Sequence, residues 1–289
     1  MRNHRGFTLI ELMVGLVLML IVTGAVYTLL NTTQRVSRAQ AERTDLQSDV
    51  RTAAIVIPNE LREINTVEGS LLPAQNDILL VPSATSLTYR AMRGIGYVCQ
   101  TPTSTEVRIR ASTWSGTRSP IAVRDSAYVF MEGADPDAST DDSWQPVRIS
   151  AVNAASTCGA NAAYAFTINP AVLTLTSVPV GTPVRLYEVM QLSLYVSGGK
   201  SWLGAQSLSG GELAPQPVLG PLVDNTGLAF EYLDKNGAAT AVTSSNKTVR
   251  LTIRGITDDA IVTGGGSGTT QHVQDRLVSE VQLRNAFRP

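Results

Sequence analysis

The sequence predicts an α+β protein in which a long N-terminal transmembrane helix continues into an exported head built on antiparallel β-sheet. Three observations predict this fold class. An apolar run with a single charge lies at the N-terminus, a helical stripe of apolar residues follows it, and short β-branched segments separated by turn residues fill the remainder of the 289-residue chain. The predicted boundaries are 7–64 for the helix, of which 7–30 cross the membrane, and 65–289 for the head.

The apolar run extends from Phe7 to Leu30 and contains one charged residue, Glu11. As a helix its 24 residues would be about 36 Å long, which exceeds the roughly 30 Å hydrocarbon core of a bilayer. A secretory signal peptide has a shorter apolar part, closely followed by a small-residue cleavage site. The nearest such pattern here, at 39–41, lies well beyond the run. Two arginines precede the run, so the positive-inside rule places the N-terminus in the cytoplasm and the head outside.

The helix is predicted to continue to about residue 64, because no glycine and only one proline, Pro58, occur between residues 31 and 64. A proline inside a helix removes a backbone hydrogen bond, so Pro58 is expected to kink the helix or end it. Apolar residues recur at spacings of three and four, which is typical of one helix face that packs on a core. This stripe consists of Leu46, Val50, Ala53, Ile57, Leu61 and Ile64.

Beyond residue 68, runs rich in β-branched residues alternate with Gly, Pro, Asn and Ser, which favours antiparallel strands. In the clearest hairpin, LAFEYLDKNGAATAV, Asn236-Gly237 is expected to supply the positive φ angles of a tight turn. The predicted strands are DILLV, LTYR, EVRIRA, AYVFM, VLTLTSV, PVRLYEV, LSLYV, LAFEYL, TVRLTIRG and RLVSEVQLR.

The composition argues against several functional classes. A net charge of −1 argues against bulk nucleic-acid binding. The motif S-x-x-K occurs at 197–200, but its two central glycines favour a hairpin turn over the helix that a catalytic motif of this kind requires.

Cys99 and Cys158 are the only cysteines. In an exported chain they predict one disulfide, with two separate buried thiols as the alternative.

The N-terminal sequence GFTLIEL resembles the processing site of type IV prepilins and pseudopilins. Members of that family have a short basic leader ending in glycine, then phenylalanine, then an apolar helix whose only charge is a glutamate. The resemblance implies that a prepilin peptidase removes the leader, residues 1–6, by cutting between Gly6 and Phe7, and that Phe7 becomes N-methylated.

A physical argument agrees with an assembly role for Glu11. Cleavage after Gly6 would create an α-amino group on Phe7 that is largely cationic near neutral pH. A carboxylate at mid-membrane costs about 3 kcal/mol, and a neighbouring subunit can offset this cost by offering its amine. The charge would then set the register between subunits. A tolerated glutamate at the membrane interface is the alternative.

The head resembles the same family through ELREI, LVDNTGLAFEYLDKNG and a last strand ending in LRN, which are similar to minor pilins of the PilW type and J-type pseudopilins. Residues 94–171 have no counterpart in that resemblance and are predicted to form a β-rich insertion. Large heads are untypical of the repeating major pilin, which favours a minor subunit.

The resemblance implies a structural, assembly-priming subunit, not an enzyme, of a filament that serves twitching, DNA uptake, adhesion or type II secretion. Its implied partners are prepilin peptidase, other major and minor pilins, and the bacterial inner membrane. The head would lie in the periplasm, and the protein would later enter a surface filament or a pseudopilus. The alternative is a periplasmic enzyme or binding protein on a single anchor.

Two further patterns concern ligands. The stretch DPDASTDD places Asp135, Asp137, Ser139 and Asp141 at the alternate positions of a calcium loop, although the central glycine is missing. A solvated turn is the other interpretation, and no other cofactor is predicted. A nucleic-acid surface would need arginines free of acidic partners, whereas an acidic block at 125–142 follows these arginines and could neutralise them. They are Arg90, Arg93, Arg108, Arg110, Arg118 and Arg124.

Overall fold

The structure is a computed structural model that describes residues 8–64, 77–135, 137, 142–241, 248–263 and 269–283. One long helix is followed by a head of antiparallel strands, which confirms the predicted α+β class. The chain divides into two compact units. The first consists of Met1–Ser48 and Ile256–Asp275, and the second of Asp49–Gly255 and Arg276–Pro289.

Helix α1 extends over Leu9–Arg62, within two residues of the predicted bounds at each end. Pro58 lies inside the helix, which continues for one further turn beyond it. Every member of the predicted stripe is buried, from Leu46, which is 6% exposed, to Leu61 and Ile64, which are fully buried. The spacing of three and four residues therefore identified the packed face of the helix.

The described residues form sixteen strands, and their pairings are antiparallel. Strands β1 to β13 and β16 belong to one extended sheet, and β14 pairs with β15. The bounds are β1 Ile78–Ser83, β2 Ser86–Gln100, β3 Glu106–Arg110, β4 Ser115–Gly116, β5 Asp125–Met131, β6 Ser143–Cys158, β7 Asn161–Ile168, β8 Pro183–Ser197, β9 Lys200–Ser207, β10 Gln216–Leu222, β11 Leu228–Leu233, β12 Ala239–Thr240, β13 Thr248–Ile256, β14 Ile261–Thr263, β15 Thr269–Gln271 and β16 Gln274–Gln282.

The second unit contains two separate hydrophobic cores. In the first, which we call the helix core, residues from 53 to 64 of the helix segment pack against the sheet, with Leu87, Leu203 and Leu251 among their buried neighbours. The second, the barrel core, contains no residue of the long N-terminal helix among the described residues and is built from residues between Val98 and Leu186.

The barrel core lies inside a closed ring of strands. Around the ring, β2 pairs with β3, β3 with β7, β7 with β6, β6 with β5, β5 with β8, and β8 again with β2. Closure removes the free edges that would otherwise template pairing with other chains. The predicted insertion, 94–171, falls within this six-stranded barrel.

Strands β2 and β8 are each 15 residues long and serve both cores. Their pairing runs from Ser86↔Ser193 to Tyr97↔Pro183, with a register shift between Met92 and Gly94. Alternate residues of a strand share a face. On one face of β8, Leu186 therefore contributes to the barrel core and Leu192 to the helix core. Glu188 lies between them on that face.

Three details of the predicted strands were wrong. The segment VLTLTSV forms a 3-10 helix, Leu173–Ser177, which buries Leu175 at the barrel core, so tertiary packing overrides its β-like alternation. Strands β6, β7, β9 and β10 were not predicted, because residues untypical of strands, namely alanine, serine, asparagine, glycine and proline, make up much of them. In the turn after β11, only Gly237 has a positive φ.

The hairpins at the predicted turns are otherwise as expected. At the S-x-x-K motif, Ser197 pairs with Lys200 across a turn in which Gly198 and Gly199 both have positive φ. The motif is thus a β-hairpin and not the start of a helix. In the other hairpin, β11 pairs with β12, and the Asp234 carboxylate accepts the backbone N–H groups of Asn236 and Ala238.

Candidate functional site

Helix α1 begins with a reciprocal pair of hydrogen bonds between Thr8 and Glu11. The Glu11 N–H donates to Thr8 Oγ1 at 3.3 Å, and Thr8 donates both its backbone N–H and its hydroxyl to Glu11 Oε2, each at 3.0 Å. This is a capping box, T-x-x-E, in which two backbone donors at a helix start are satisfied by side chains. Both side chains are exposed, so the Glu11 carboxylate is capped and still accessible.

The helix that follows this cap presents apolar side chains on all sides. By length and composition the helix is long and apolar enough to cross a membrane, and its most apolar part is not buried within the chain. Its large apolar residues between 9 and 30 are 49% to 78% exposed. A helix that is apolar all round suits lipid or other helices and not water.

Comparison with known proteins also supports an N-terminal segment that anchors the protein in a membrane. The family described as "Prokaryotic N-terminal methylation motif" matches residues 1–27. No curated protein and no solved structure is significantly similar to the chain.

The motif, the apolar helix and the β-rich head define a membrane-anchored protein with pilin-like architecture. The match of its N-terminal motif, over residues 1–27, supports a protein of the type IV prepilin and pseudopilin family. That family is structural, and its motif is a substrate of prepilin peptidase. The predicted cleavage residues, Gly6 and Phe7, lie outside the residues that the structure describes and within the segment that the motif covers.

The structure contains a disulfide between Cys99 and Cys158, with 6.0 Å between their Cα atoms. Cys99 lies near the end of β2, and Cys158 is the last residue of β6. The bond therefore joins two strands that are not neighbours in the barrel ring. Both cysteines of the chain are used by it, and no free cysteine is present.

The calcium loop predicted at 135–141 is described only in part. The Asp137 N–H donates to Asp135 Oδ1 at 3.1 Å, which is a local turn contact. Ser139 and Asp141 lie outside the described residues. Within the residues that are described, no group of three metal-ligating side chains is present. The calcium loop stays a prediction.

An ion-pair cluster that the sequence did not reveal is centred on Glu188, whose side chain is 2% exposed. Arg93 Nε donates to Glu188 Oε2 at 2.8 Å, and Arg118 Nη2 donates to the same oxygen at 3.1 Å. Arg124 Nε and the Ser207 hydroxyl both donate to Oε1. Four donors thus surround one buried carboxylate.

Burial alone would raise the pKa of the Glu188 carboxyl, because desolvation disfavours its charged form. Hydrogen bonds from Ser207, Arg93 and Arg118 outweigh that effect and lower the pKa to about 2. The carboxylate is therefore ionised at every physiological pH.

Further acidic residues complete the cluster. Arg118 makes a second contact with the fully buried Asp125, whose two oxygens it reaches at 2.6 and 2.7 Å. Arg93 Nη1 lies 3.3 Å from Glu60 Oε1 on helix α1, and Arg124 Nη2 lies 3.7 Å from Glu212 Oε1. The cluster connects the helix, the barrel and the loop after β9 within the second unit.

Contacts within the chain, several of them in this cluster, occupy most of the arginines between 90 and 124. Three of the six are held by Glu188, and Arg108 is paired with Glu106 at 2.7 Å. Arg90 lies over the rings of Tyr128 and Tyr187. Glu188 and Glu106, which pair with these arginines, lie outside the acidic block, and Asp125 of that block pairs with Arg118.

Sequence reasoning missed Thr8 and Glu188 for different reasons. The T-x-x-E spacing of a capping box was present in the sequence and could have identified Thr8. Glu188 is one of several glutamates in strand-like segments, and its arginine partners lie 64 to 95 positions away. Only the closure of the barrel brings them together.

Proposed function

We propose that this protein is a minor pilin or pseudopilin, a structural and assembly-priming subunit of a type IV filament. Prepilin peptidase cuts between Gly6 and Phe7, the head lies in the periplasm, and the subunit then enters a filament by its helix. The observation that carries the proposal is Glu11, a capped, exposed carboxylate at the start of an exposed apolar helix.

The geometry at the helix start supports an intermolecular role for this charge. Glu11 receives both Thr8 donors on Oε2. These are neutral donors, so they satisfy hydrogen bonds of the carboxylate without cancelling its charge. A cationic amine of a neighbouring subunit can supply the missing countercharge in the low-dielectric environment of a helix bundle, where opposite charges attract strongly.

The head supports the minor role. The barrel adds a second core to the one on which the helix packs, and we propose that it corresponds to the insertion at 94–171. A subunit that repeats along a shaft must fit its head within the axial rise per subunit. A subunit at a filament tip has no such constraint on one side, so it can carry additional mass.

N-terminal mass analysis of membrane-extracted protein tests the proposal. The dominant species is expected to begin at N-methylated Phe7, and Gly6→Val is expected to leave the leader attached. A single-anchored enzyme or binding protein, the competing function, would keep residues 1–6. An intact Met1 on the dominant species, or unchanged processing of Gly6→Val, would refute the pilin function.

A further inference from the structure

A cleft of about 450 Å³ opens on the outer side of the barrel, beside the shift in register of β2. Its lining includes β2 residues near Gly94 and Ile95, β4 with Ser115 and the following Thr117, and Arg185 of β8. This volume falls in the range of about 300–1,000 Å³ that is typical of ligand pockets. All of these residues belong to the second unit of the chain.

Arg185 is held in place by an aromatic support. It occupies the outward face of β8, since its neighbours Val184 and Leu186 face the barrel core. Its Cζ lies over the Trp144 ring, 5.2 Å from the ring centroid. Trp144 in turn packs against Phe130, with 5.3 Å between centroids and an angle of 64° between the rings. The guanidinium is thus positioned by packing and not by an anion.

The contrast with the other arginines of this region is informative. Arg93, Arg118 and Arg124 each reach Glu188, and Arg108 reaches Glu106. In the part of the chain that the structure describes, the side chain of Arg185 makes no ion pair or hydrogen bond, and it lies over the face of the Trp144 ring. Five N–H donors in a planar fork match a carboxylate better than they match water.

The other charges that line the cleft are already engaged. Arg93 donates to Glu188 and Glu60, and Glu63 takes part in an interaction within the chain. Ser115 and Thr117 add hydroxyl groups beside the backbone of the β2–β4 pair, where Ile95 is opposite Ser115. Besides Arg93 and Glu63, the cleft therefore presents one cationic fork, that of Arg185, together with neutral donors and acceptors.

We propose that this cleft binds a planar carboxylate, with Arg185 as its bidentate partner and Trp144 as the platform that orients Arg185. The shared chemistry is that of an aspartate or glutamate side chain on a protein partner and of a small free carboxylate. This inference does not depend on the proposed filament function, because it rests on the barrel alone.

A peptide titration on the full-length protein in detergent micelles tests the site. The probes are acetyl-Gly-Asp-Gly-amide and its neutral isostere acetyl-Gly-Asn-Gly-amide, and the signal is the indole N–H resonance of Trp144, assigned with Trp144→Phe. The aspartate peptide is expected to shift this resonance saturably with at least tenfold higher affinity than the asparagine peptide. A titration with acetate distinguishes a small free carboxylate from a protein side chain as the ligand. An affinity for acetate equal to that for the aspartate peptide identifies a free small carboxylate, and a weaker affinity for acetate identifies a peptide side chain.

Two arginine variants distinguish the effect of the planar guanidinium of Arg185 from the effect of positive charge alone. Arg185→Lys keeps the charge but loses the planar fork, so affinity for the aspartate peptide is expected to fall at least tenfold. The matched control is Arg148→Lys, since Arg148 is exposed on β6, which β5 separates from β8, and does not line the cleft; affinity should stay within twofold. Equal binding of the two peptides, equal loss in both variants, or tighter binding of a phosphoserine peptide would overturn the assignment.

Discussion

Glu11 performs a local task, and this changes how its assembly role must be tested. In the capping box it accepts the Thr8 N–H, while its own N–H donates to Thr8 Oγ1. Loss of a capping side chain typically costs about 1 kcal/mol, so an alanine variant alters the helix start as well as the charge. Glutamine at the same position can accept the Thr8 N–H but carries no charge.

We therefore expect Glu11→Gln and Glu11→Ala to behave alike. Both should insert into the membrane and be processed after Gly6, since removing a charge makes the segment more apolar. Both should be incorporated into filaments poorly, because neither can pair with a subunit's terminal amine. Immunoblots of membrane and sheared-filament fractions measure insertion, processing and incorporation together.

The control for this prediction is Thr8→Val, which has nearly the shape of threonine, weakens the cap and keeps the charge. It should be incorporated much as the unmodified protein is. Normal incorporation of Glu11→Gln combined with loss in Thr8→Val would show that Glu11 serves the helix start and not the contact between subunits.

The contribution of Glu188 to the stability of the folded protein should depend on pH. Its folded pKa of about 2 lies below the unperturbed value of 4.5, so the folded state holds the ionised form more strongly than the unfolded state. The resulting stability, about 3 kcal/mol from a shift of this size, is fully present above about pH 5. It is lost progressively as the pH falls towards the folded pKa of about 2.

Glu188→Gln should therefore lower the free energy of unfolding by about 3–5 kcal/mol at neutral pH, because it leaves Arg93, Arg118 and Arg124 without the carboxylate that they share. The difference between the two proteins should narrow on acidification to about pH 3. Urea denaturation at several pH values measures both effects. A control is Glu231→Gln, whose pair with Arg250 at 2.6 Å is exposed and should matter little; an equal loss there, or a difference that does not depend on pH, would contradict the role of Glu188.

At the scale of elements, the disulfide should stabilise the barrel chiefly through the unfolded chain. Cys99 and Cys158 are 59 positions apart, and closing a loop of that size gives about 4 kcal/mol in the chain-entropy model, with measured effects often smaller. A reductant should lower the unfolding midpoint of the full-length protein. The double variant Cys99→Ser/Cys158→Ser should start at the lower midpoint and show no response, and free thiols under non-reducing, unfolded conditions would contradict the bond in cells.

The barrel should also be separable from the remainder of the head. Ala91 of β2 is opposite Glu188 of β8, and beyond this pair both strands enter the barrel. Replacing residues 92–187 with a short Asn-Gly loop, together with Glu188→Ala to avoid a buried unpaired charge, is expected to leave the helix core folded. Circular dichroism and trypsin resistance of the shortened protein measure this; complete unfolding would show that the two cores fold as one.

The elements also show which parts of this fold the sequence could predict. Helix α1 could be predicted from the sequence, because its apolar stripe has a helical period and is not interrupted by glycine. Strands β6 and β7 were not, since segments such as AVNAASTC become strands only when β3 and β5 pair with them. Barrel closure depends on pairing between distant segments, and the pattern of a single strand carries no information about its partner. The same limit concealed Glu188, while Glu11 stood out because it is the one charged residue in the run from Phe7 to Leu30.

For the whole molecule, the presence of two cores predicts how many copies of the protein a filament contains. The helix core is what a filament subunit requires, because it joins the head to helix α1. The barrel core is additional mass carried on two long strands. The disulfide lies within the barrel, and the Glu188 cluster ties the barrel to helix α1 through Glu60. Such a head is expected at a tip, where mass does not collide with the next subunit.

We therefore expect this protein to be a minor component, with a molar ratio to the dominant pilin below about one to fifty in sheared, purified filaments and with loss of filaments on deletion, as for a priming subunit. Quantitative mass spectrometry of filament fractions against labelled peptides measures the ratio. The shortened protein without residues 92–187 provides the matched test, because it retains the helix, Glu11 and the helix core. If the barrel restricts the protein to the tip, removing it should preserve priming and raise the incorporated fraction; a ratio near one to one for the full-length protein would show that it repeats along the shaft.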